Sequence, residues 1–555
     1  MHAFLRDVRY GFRSLIKSPG LTFVAVLALT LGIGLTTTMY SLVYGALMKG
    51  LPFPHGGRIV EVVRDNPSTG ATQMSVPISD YADYKARQHS LVPIAAHYSG
   101  TVNVSGRSQA DRYTGSWVTA STFDVAGIAP LLGRTIQAGE DTPGGPRVAV
   151  LSYGMWQNRF GGDRHVIGTT LRANGEPYTI VGVMPENYAF PDNTQIWLPL
   201  QMNPLTTPRG GGIWLTVTGV LEPGATIASA SADFRAIARS LQHEYKATNE
   251  GVDARVMTFV DAEIGPQAHQ LLYTMFGAVF FVLLIACANV ANLLLDRAAH
   301  RTKEVGIRTA LGASRSAVVR QFFTEAVVLS LGGAALGTAL AYGGVALFNR
   351  AMLASAQPPF FIDVRLAPAV LLFTIGVAVL AAMFSGLLPA VQASRTDINE
   401  VLKDETRGSS SFRIGRMSRS LVVLEIALSC GLLVAAGLMI KSLTSLRTMD
   451  PGFRTRGIFT ARVGFPATYT DTVMQRQFYE QLLARLATVP GARRAALVSS
   501  LPGVGSDGGS FEVDGKSYAS DRDVPRSSWY AASAGYFETF DIRVLEGRVI
   551  DQTDR

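Results

Sequence analysis

The chain has 555 residues, of which 48% are hydrophobic and only 17% are charged, and its mean hydropathy is positive at +0.21. A charged fraction below the ~25% that is usual for soluble domains excludes an ordinary soluble protein and indicates a membrane protein with a substantial soluble part. The net charge of +8 does not indicate a nucleic-acid-binding protein, because the Lys and Arg residues cluster beside apolar runs, where membrane topology accounts for much of the excess.

The N-terminal residues 1–20 are predicted to form a cytoplasmic amphipathic segment, because Arg6, Arg9 and Arg13 precede a Pro-Gly break. The uncharged run 21–48 follows, and it exceeds the ~20 residues that a helix needs to cross a bilayer. It is too long for a signal peptide and shows no small-residue cleavage site, so it predicts an uncleaved first membrane span.

Residues 50–268 contain no span and are predicted to lie outside the cytoplasm as a mixed α+β region of one or two domains. Alternating apolar residues predict strands, and a period of three to four predicts helices. The predicted strands are 58–63, 147–151 and 178–183, and the predicted helices are 79–87 and 228–246.

The second half of the chain alternates apolar runs with basic stretches. Four more spans are predicted at 271–295, 322–348, 367–391 and 421–440, with basic segments at 297–320 and 392–419 and an outer region at 445–555. Excess Lys and Arg mark the cytoplasmic side, so both basic segments are predicted to be cytoplasmic. Cys287 and Cys430 lie inside predicted spans and are expected to be small buried hydrophobic residues.

The stretch from 297 to 325 is a basic loop between two spans. Arg301, Glu304 and Arg308 fall on one helical face, and Gly312 predicts a break before a new helix from about Ser314. Two interpretations follow from the residues alone. The charged face docks a soluble cytoplasmic partner, or the segment is a solvated loop whose charges only set topology.

The motif from Glu304 to Arg315, EVGIRTALGASR, and the following 321–326, QFFTEA, resemble the coupling segment of FtsX/MacB-type ABC permeases. The resemblance implies an FtsX-like permease domain at 271–396, a MacB-like extracytoplasmic domain at 50–268, and a segment that contacts a separate cytoplasmic ABC ATPase. The residues that it assigns to this coupling are Arg301, Glu304, Arg308, Gly312, Ala313 and Arg315.

Residues 445–555 repeat part of the first outer region. The stretch 116–136 is echoed by 528–550, and a spacing this long indicates a gene duplication rather than a repeat array. This layout resembles the acidobacterial duplicated orphan permeases with the last third of the chain missing, which makes 445–555 a second, incomplete MacB-like domain.

Motifs for enzyme chemistry are missing from the sequence. Gly515-Lys516-Ser517 ends like a phosphate-binding loop, but Ser510 stands where that motif needs glycine. No histidine pair has metal-ligand spacing and no carboxylate has an evident catalytic partner, so neither a cofactor nor an enzyme activity is predicted. Three functions are candidates: a permease subunit, a regulatory protein and a membrane-anchored enzyme. The missing motifs make the enzyme the weakest of them.

The resemblance implies a multi-pass plasma (inner) membrane permease with a cytoplasmic N-terminus and large extracytoplasmic domains. It implies export of macrolide, peptide or lipoprotein-like substrates; the alternative is an FtsX-like mechanical regulator of an extracytoplasmic hydrolase or signalling partner. The expected partners are a cytoplasmic ABC ATPase, membrane lipid, a second copy or half in a homodimer or pseudo-dimer, and an outer-side adaptor or hydrolase.

Overall fold

The chain forms two units in a computed structural model. It describes residue 13 and residues 15–105, 111–300, 314–355, 358–393, 411–464, 471–503, 507–518, 524–551 and 553–554. The first unit combines the described residues up to Gly50 with Glu263–Thr444, and the second combines Leu51–Ala262 with Ser445–Arg555. Most of the predicted N-terminal segment 1–20 and residues 394–410 of the predicted linker 392–419 lie outside the described residues.

The first membrane helix, α1, comprises Pro19–Val43 and continues as a π-helical turn at Tyr44–Met48. Proline suits the first position of a helix, because its missing N–H would have no partner there anyway. The helix is apolar around its whole circumference, which is typical of a span.

The described residues of the outer region, which lies between α1 and the second membrane helix, form twelve strands in one sheet. The strands are β1 Ile59–Asn66, β2 Ala71–Met74, β3 Val76–Pro77, β4 Leu91–Ser105, β5 Asp111–Val118, β6 Leu132–Gly133, β7 Val148–Leu151, β8 Thr170–Ala173, β9 Glu176–Val183, β10 Ile196–Pro199, β11 Trp214–Leu221 and β12 Asp253–Thr258. Their main order is β12-β1-β11-β4-β5-β10-β7-β9-β6, with β4 paired to β11, β5 and β8.

Five helices accompany this sheet. They are α2 Ile78–Arg87, α3 Ser121–Ala126, α4 Tyr153–Phe160, α5 Ile227–Glu244 and α6 Lys246–Asn249. The longest, α5, begins at a capping box in which Thr226 and Ser229 satisfy each other's backbone amides. Phe234, Ile237 and Leu241 recur at helical spacing and are buried, so this face packs into the core.

Two apolar clusters make up much of the core of the outer domain. One surrounds Tyr84 and Phe234, and the other surrounds Trp156 and Ile180. Trp117 packs against both clusters and stacks on Tyr98 with ring centroids 4.8 Å apart. Burying a large apolar side chain stabilises a fold by about 1.5–3 kcal/mol, so these clusters contribute much of the stability of the domain.

Four long helices complete the first unit. They are α7 Phe259–His300, α8 Arg315–Ser355, α9 Pro368–Ala393 and α10 Ser411–Thr448. Gly265 interrupts α7, since its φ of 74° and ψ of 162° are not helical. Within the described residues, five helices including α1 are long and apolar enough to cross a membrane. The chain is thus a membrane α-helical protein with a mixed α+β domain.

The helices extend beyond the predicted spans. The predicted span 271–295 lies within the α7 segment that follows Gly265, and α8 and α10 begin before and end after 322–348 and 421–440. Hydropathy detects only the part of a helix that lipid requires to be apolar, whereas backbone hydrogen bonding continues into the polar flanks.

Helices α1, α7, α8 and α9 pack around a common apolar core. The buried side chains of that core are Leu15, Ala25, Leu29, Ile33, Leu283, Cys287, Val290, Leu294, Ala326, Leu329, Ala334, Val377, Ala378 and Ala381. The apolar part of α10 has no buried residue in the described structure. The expectation that both cysteines are buried is therefore wrong for Cys430, which is exposed on α10, while Cys287 is buried.

The region from Ser445 onward contains α11 Thr472–Leu486, the hairpin β13 Asp507–Ser510 and β14 Arg526–Trp529, and α12 Tyr536–Thr539. Only Tyr536 and Phe540 are buried among its described side chains. The strand β14 followed by α12 has the same order as β5 followed by α3, which are the two stretches that the sequence repeat pairs.

Candidate functional site

The predicted coupling residues lie between α7 and α8. Arg301, Glu304, Arg308, Gly312 and Ala313 lie outside the described residues. Arg315 begins α8, one residue after the predicted helix start near Ser314. The structure therefore describes the two helix ends that carry the segment.

A buried ion pair joins these two helix ends. Nη1 of Arg297, near the end of α7, lies 3.5 Å from Oε2 of Glu325 in the third turn of α8. The two side chains are 7% and 0% exposed. Sequence reasoning used Arg297 only as a topology charge and Glu325 only as part of a motif, and it missed their contact because no local periodicity links residues so far apart.

Apolar contacts continue around the ion pair. Ala298 of α7, Phe322 of α8 and Ala390 of α9 form a small buried cluster. A Cβ atom on Gly386 of α9 would lie 2.3 Å from the Cβ of Ala326, which follows Glu325 directly. Three helices therefore meet closely at the end of the coupling segment.

Glycines bring α1 and α8 into backbone contact. A Cβ atom on Gly337 would lie 3.0 Å from the backbone nitrogen of Gly34, and one on Gly333 would lie 2.6 Å from the Cβ of Leu29. Gly333 and Gly337 form a G-x-x-x-G motif, which is a common device for close packing of membrane helices. Movement of α8 is thereby mechanically linked to α1.

The other end of α1 contacts the loop between α8 and α9. Lys49 forms an ion pair with Asp363. The backbone amide of Asp363 donates to the carbonyl of Gly45, and a Cβ atom on Gly45 would lie 2.6 Å from the carbonyl oxygen of Asp363. The π-helical turn that contains Gly45 is a kind of irregularity that often occurs at functional positions.

In the outer domain, an aromatic cluster contacts residues near both ends of the domain. The ring of Phe190 lies 5.6 Å from that of Phe53, near the domain's start, and 5.5 Å from that of Phe259, near its end. Phe190 thus contacts residues near both ends of the outer domain.

Buried charges in the outer domain are paired with each other. Asp80, which is 1% exposed, accepts hydrogen bonds from Arg209 at 2.7 Å and Asn249 at 2.9 Å, and lies 3.3 Å from Arg64. Arg209 also donates to Asp83 at 2.6 Å. The pairing gives each of these buried charges a neighbour of opposite sign, although Nε and Nη1 of Arg64 make no hydrogen bond within the part of the chain that the structure describes. Among the described residues no group of three or more His, Cys, Asp or Glu is arranged to hold a metal ion.

The family comparisons match both regions. The MacB-like periplasmic core domain matches residues 22–237, and the FtsX-like permease C-terminal domain matches residues 276–398, which include the coupling segment. The chain belongs to the MacB/FtsX-type ABC permeases. It combines a MacB-like core domain with an FtsX-like permease domain.

Several curated permeases are similar to this one. It is 24% identical over 417 residues to the uncharacterized ABC transporter permease YknZ of Bacillus subtilis, covering 73% of this chain and 100% of YknZ. It is 31% identical over 257 residues to the macrolide export ATP-binding/permease protein MacB of Rhodospirillum rubrum, covering 45% and 37% of the two chains. The pyoverdine export ATP-binding/permease protein PvdT of Pseudomonas syringae pv. syringae is 28% identical, over 46% of this chain and 38% of PvdT.

The permease therefore spans the whole of YknZ but less than two fifths of the MacB and PvdT relatives.

Proposed function

We propose that this permease couples ATP hydrolysis by a separate cytoplasmic ABC ATPase to movement of its extracytoplasmic domains. The ATPase docks on the segment between α7 and α8, through Arg301, Glu304, Arg308, Gly312, Ala313 and Arg315. The observation that carries the proposal is that this segment lies inside the FtsX-like match at 276–398 and joins two helices that are paired at their ends by Arg297 and Glu325.

The packing of the bundle supports a mechanical role. Helices α7 and α8 contact each other at the segment, and α8 contacts α1 through its glycines. Helices α1 and α7 lead in sequence to the two ends of the outer domain, where Phe190 contacts both Phe53 and Phe259. A displacement at the segment would thus reach the outer domain through two covalent connections.

The proposed orientation in the membrane rests on the distribution of positive charge. Basic residues beside the spans support a cytoplasmic position for the segment and the N-terminus and an outer position for the domains 50–268 and 445–555. The names of the MacB and PvdT relatives describe export of macrolides and of pyoverdine, so we propose export of a comparable substrate from the outer side. An ABC ATPase has two nucleotide sites, so we propose that two such segments dock together, from two copies or from the halves of a pseudo-dimer.

Co-purification from native membranes tests the proposal. The wild-type chain should retain an ABC ATPase and stimulate its activity. Gly312→Pro, which fixes φ and removes an amide, should abolish stimulation by re-aiming the following helix without changing charge. The single reversals Glu304→Arg and Arg308→Glu should each weaken docking by about fivefold or less, since an exposed pair is worth ~0.2–1 kcal/mol.

The matched control is Arg476→Glu on α11, which reverses one charge in the outer region and should leave docking unchanged. If Gly312→Pro and the Glu304→Arg/Arg308→Glu double variant both leave docking and stimulation unchanged, the coupling role is wrong and the segment is a solvated loop. Retention of a hydrolase in place of an export adaptor on the outer side would favour the regulatory function.

A further inference from the structure

We propose that the Arg297–Glu325 ion pair is a positioning device that makes the ends of α7 and α8 move as one body when the coupling segment is displaced. This inference rests on the proposed function of that segment. It assigns roles to two residues that the segment's own charged face does not include.

Burial argues that the pair does more than stabilise the fold. The side chains are 7% and 0% exposed, so both charges have lost most of their contact with water. The cost of that desolvation often equals or exceeds the attraction between the charges, and apolar residues of similar volume frequently stabilise a site as well. What an ion pair supplies and an apolar pair does not is an attraction between two particular side chains, here over 3.5 Å, that holds one helix against the other.

The location of the pair gives this attraction a mechanical use. Arg297 lies three residues before His300, where α7 ends, and Glu325 lies ten residues after Arg315, where α8 begins. The stretch of chain from Arg297 to Glu325, which contains the coupling segment, is therefore closed by the ion pair. A force on such a closed loop is delivered to both helices, whereas a loop with free ends can pull one helix and leave the other in place.

Residues next to the ion pair also connect α7 and α8 to a third helix, α9. Ala326, next to Glu325, is in close contact with α9 at Gly386, and Ala298, next to Arg297, packs in the cluster with Phe322 and Ala390. Loss of the ion pair should leave these apolar contacts in place. The helices would then stay packed but would no longer be fixed in orientation.

Two double variants separate positioning from simple packing. Arg297→Met/Glu325→Leu replaces the charges with apolar side chains of similar size, and Arg297→Glu/Glu325→Arg exchanges them. Nitroxide labels are placed on cysteines at Asp296 and Ser316, both exposed on the two helices, in a full chain whose Cys287 and Cys430 are replaced by alanine. The thermal midpoint of the purified chain reports packing, and the width of the label–label distance distribution reports positioning.

The apolar double variant should keep the wild-type thermal midpoint but broaden the distance distribution, and the exchanged pair should narrow it again. With the ATPase that co-purifies with the wild-type chain, the apolar variant should retain docking and lose about tenfold in stimulated kcat, and the exchanged pair should recover it. The control Arg476→Met/Glu480→Leu removes an exposed ion pair on α11 and should change neither quantity.

Equal distance widths in all three chains overturn the inference, and so does full stimulation by the apolar variant. If no ATPase docks on any chain, the proposed function fails while the distance widths still decide whether the pair positions the helices. A lower thermal midpoint in the apolar variant, with no change in distance width, shows that the pair serves packing alone and also overturns the inference.

Discussion

His97 is a buried residue that makes stability depend on pH. Its side chain lies on β4 and is 1% exposed, and neither ring nitrogen has a hydrogen-bond partner among the described residues. Burial lowers the pKa of the imidazole, and the Asp192 carboxylate, 3.8 Å away, only partly opposes that shift. The folded protein therefore holds His97 neutral where the unfolded chain would protonate it.

The sign of the pH effect follows from this difference. The unfolded state binds the proton below about pH 6.5, so the free energy of unfolding falls as pH decreases through that value, by at most about 1.4 kcal/mol per pH unit, until the lowered folded-state pKa is reached. His97→Phe should flatten the dependence between about pH 7 and pH 5, which unfolding midpoints across that range would measure. An unchanged dependence in His97→Phe would contradict the assignment, and exposed His165→Gln is the matched control.

We expect Arg209 to stabilise the outer domain more than an exposed arginine does. Arg209→Ala removes hydrogen bonds to the buried Asp80 and to Asp83, and it should lower the free energy of unfolding by about 2–3 kcal/mol. The control is Arg235→Ala, whose ion pair with Asp253 is 43% and 34% exposed and should be worth less than about 1 kcal/mol. Denaturant titration of the full chain measures both, and equal losses would show that burial of Asp80 has no special weight.

The sequence predicted the burial of Cys287 correctly and that of Cys430 wrongly, because burial inside the protein depends on which helices pack nearby. Cys287 was expected to be buried and is buried, because three other helices surround α7. Cys430 was given the same interpretation from the same kind of apolar sequence, yet no described helix covers it. An apolar run indicates that its residues avoid water. It does not indicate whether lipid or protein surrounds them instead.

At the scale of single helices, the glycines of α8 are not equivalent. Gly337 faces the backbone of α1, whereas nothing lies within 4 Å of the position that a Cβ atom would take on Gly343. Gly337→Leu should therefore force α1 and α8 apart and destabilise the bundle by about 1–3 kcal/mol. Gly343→Leu, in the same helix and with the same change in side chain, should be neutral or stabilising.

Thermal unfolding of the two glycine variants in detergent measures the difference. Similar midpoints for Gly337→Leu and Gly343→Leu would show that the contact between α1 and α8 does not depend on glycine. Sequence alone marks the G-x-x-x-G motif at 333–337 but not its partner, since several helices could supply it.

At the scale of the whole molecule, the distribution of Lys and Arg predicts topology. In intact cells, cysteines placed at Ser108 and Ser517 should react with an impermeant thiol reagent, and one at Ser409 should react only after permeabilisation. Ser517 is exposed in the second outer region, while Ser108 and Ser409 lie outside the described residues. Labelling of Ser409 with protection of Ser108 would reverse the orientation.

The sequence by itself determined the membrane class, the approximate spans and the family, because each depends on local properties: a run of apolar residues long enough for a bilayer, a charge bias, and a motif such as 304–315. Those signals need no knowledge of what a residue touches. The coupling residues themselves remain predictions from that motif.

Only the tertiary structure decided which distant residues meet. It brought Arg297 to Glu325, Gly337 to Gly34 and Phe190 to both Phe53 and Phe259, and among the described residues it left no buried side chain in the apolar part of α10. Such contacts depend on how whole helices and strands pack, and apolar side chains satisfy the same hydropathy pattern whichever partner they find. The physical link between the coupling segment and the rest of the bundle was therefore visible only once the helices were placed together.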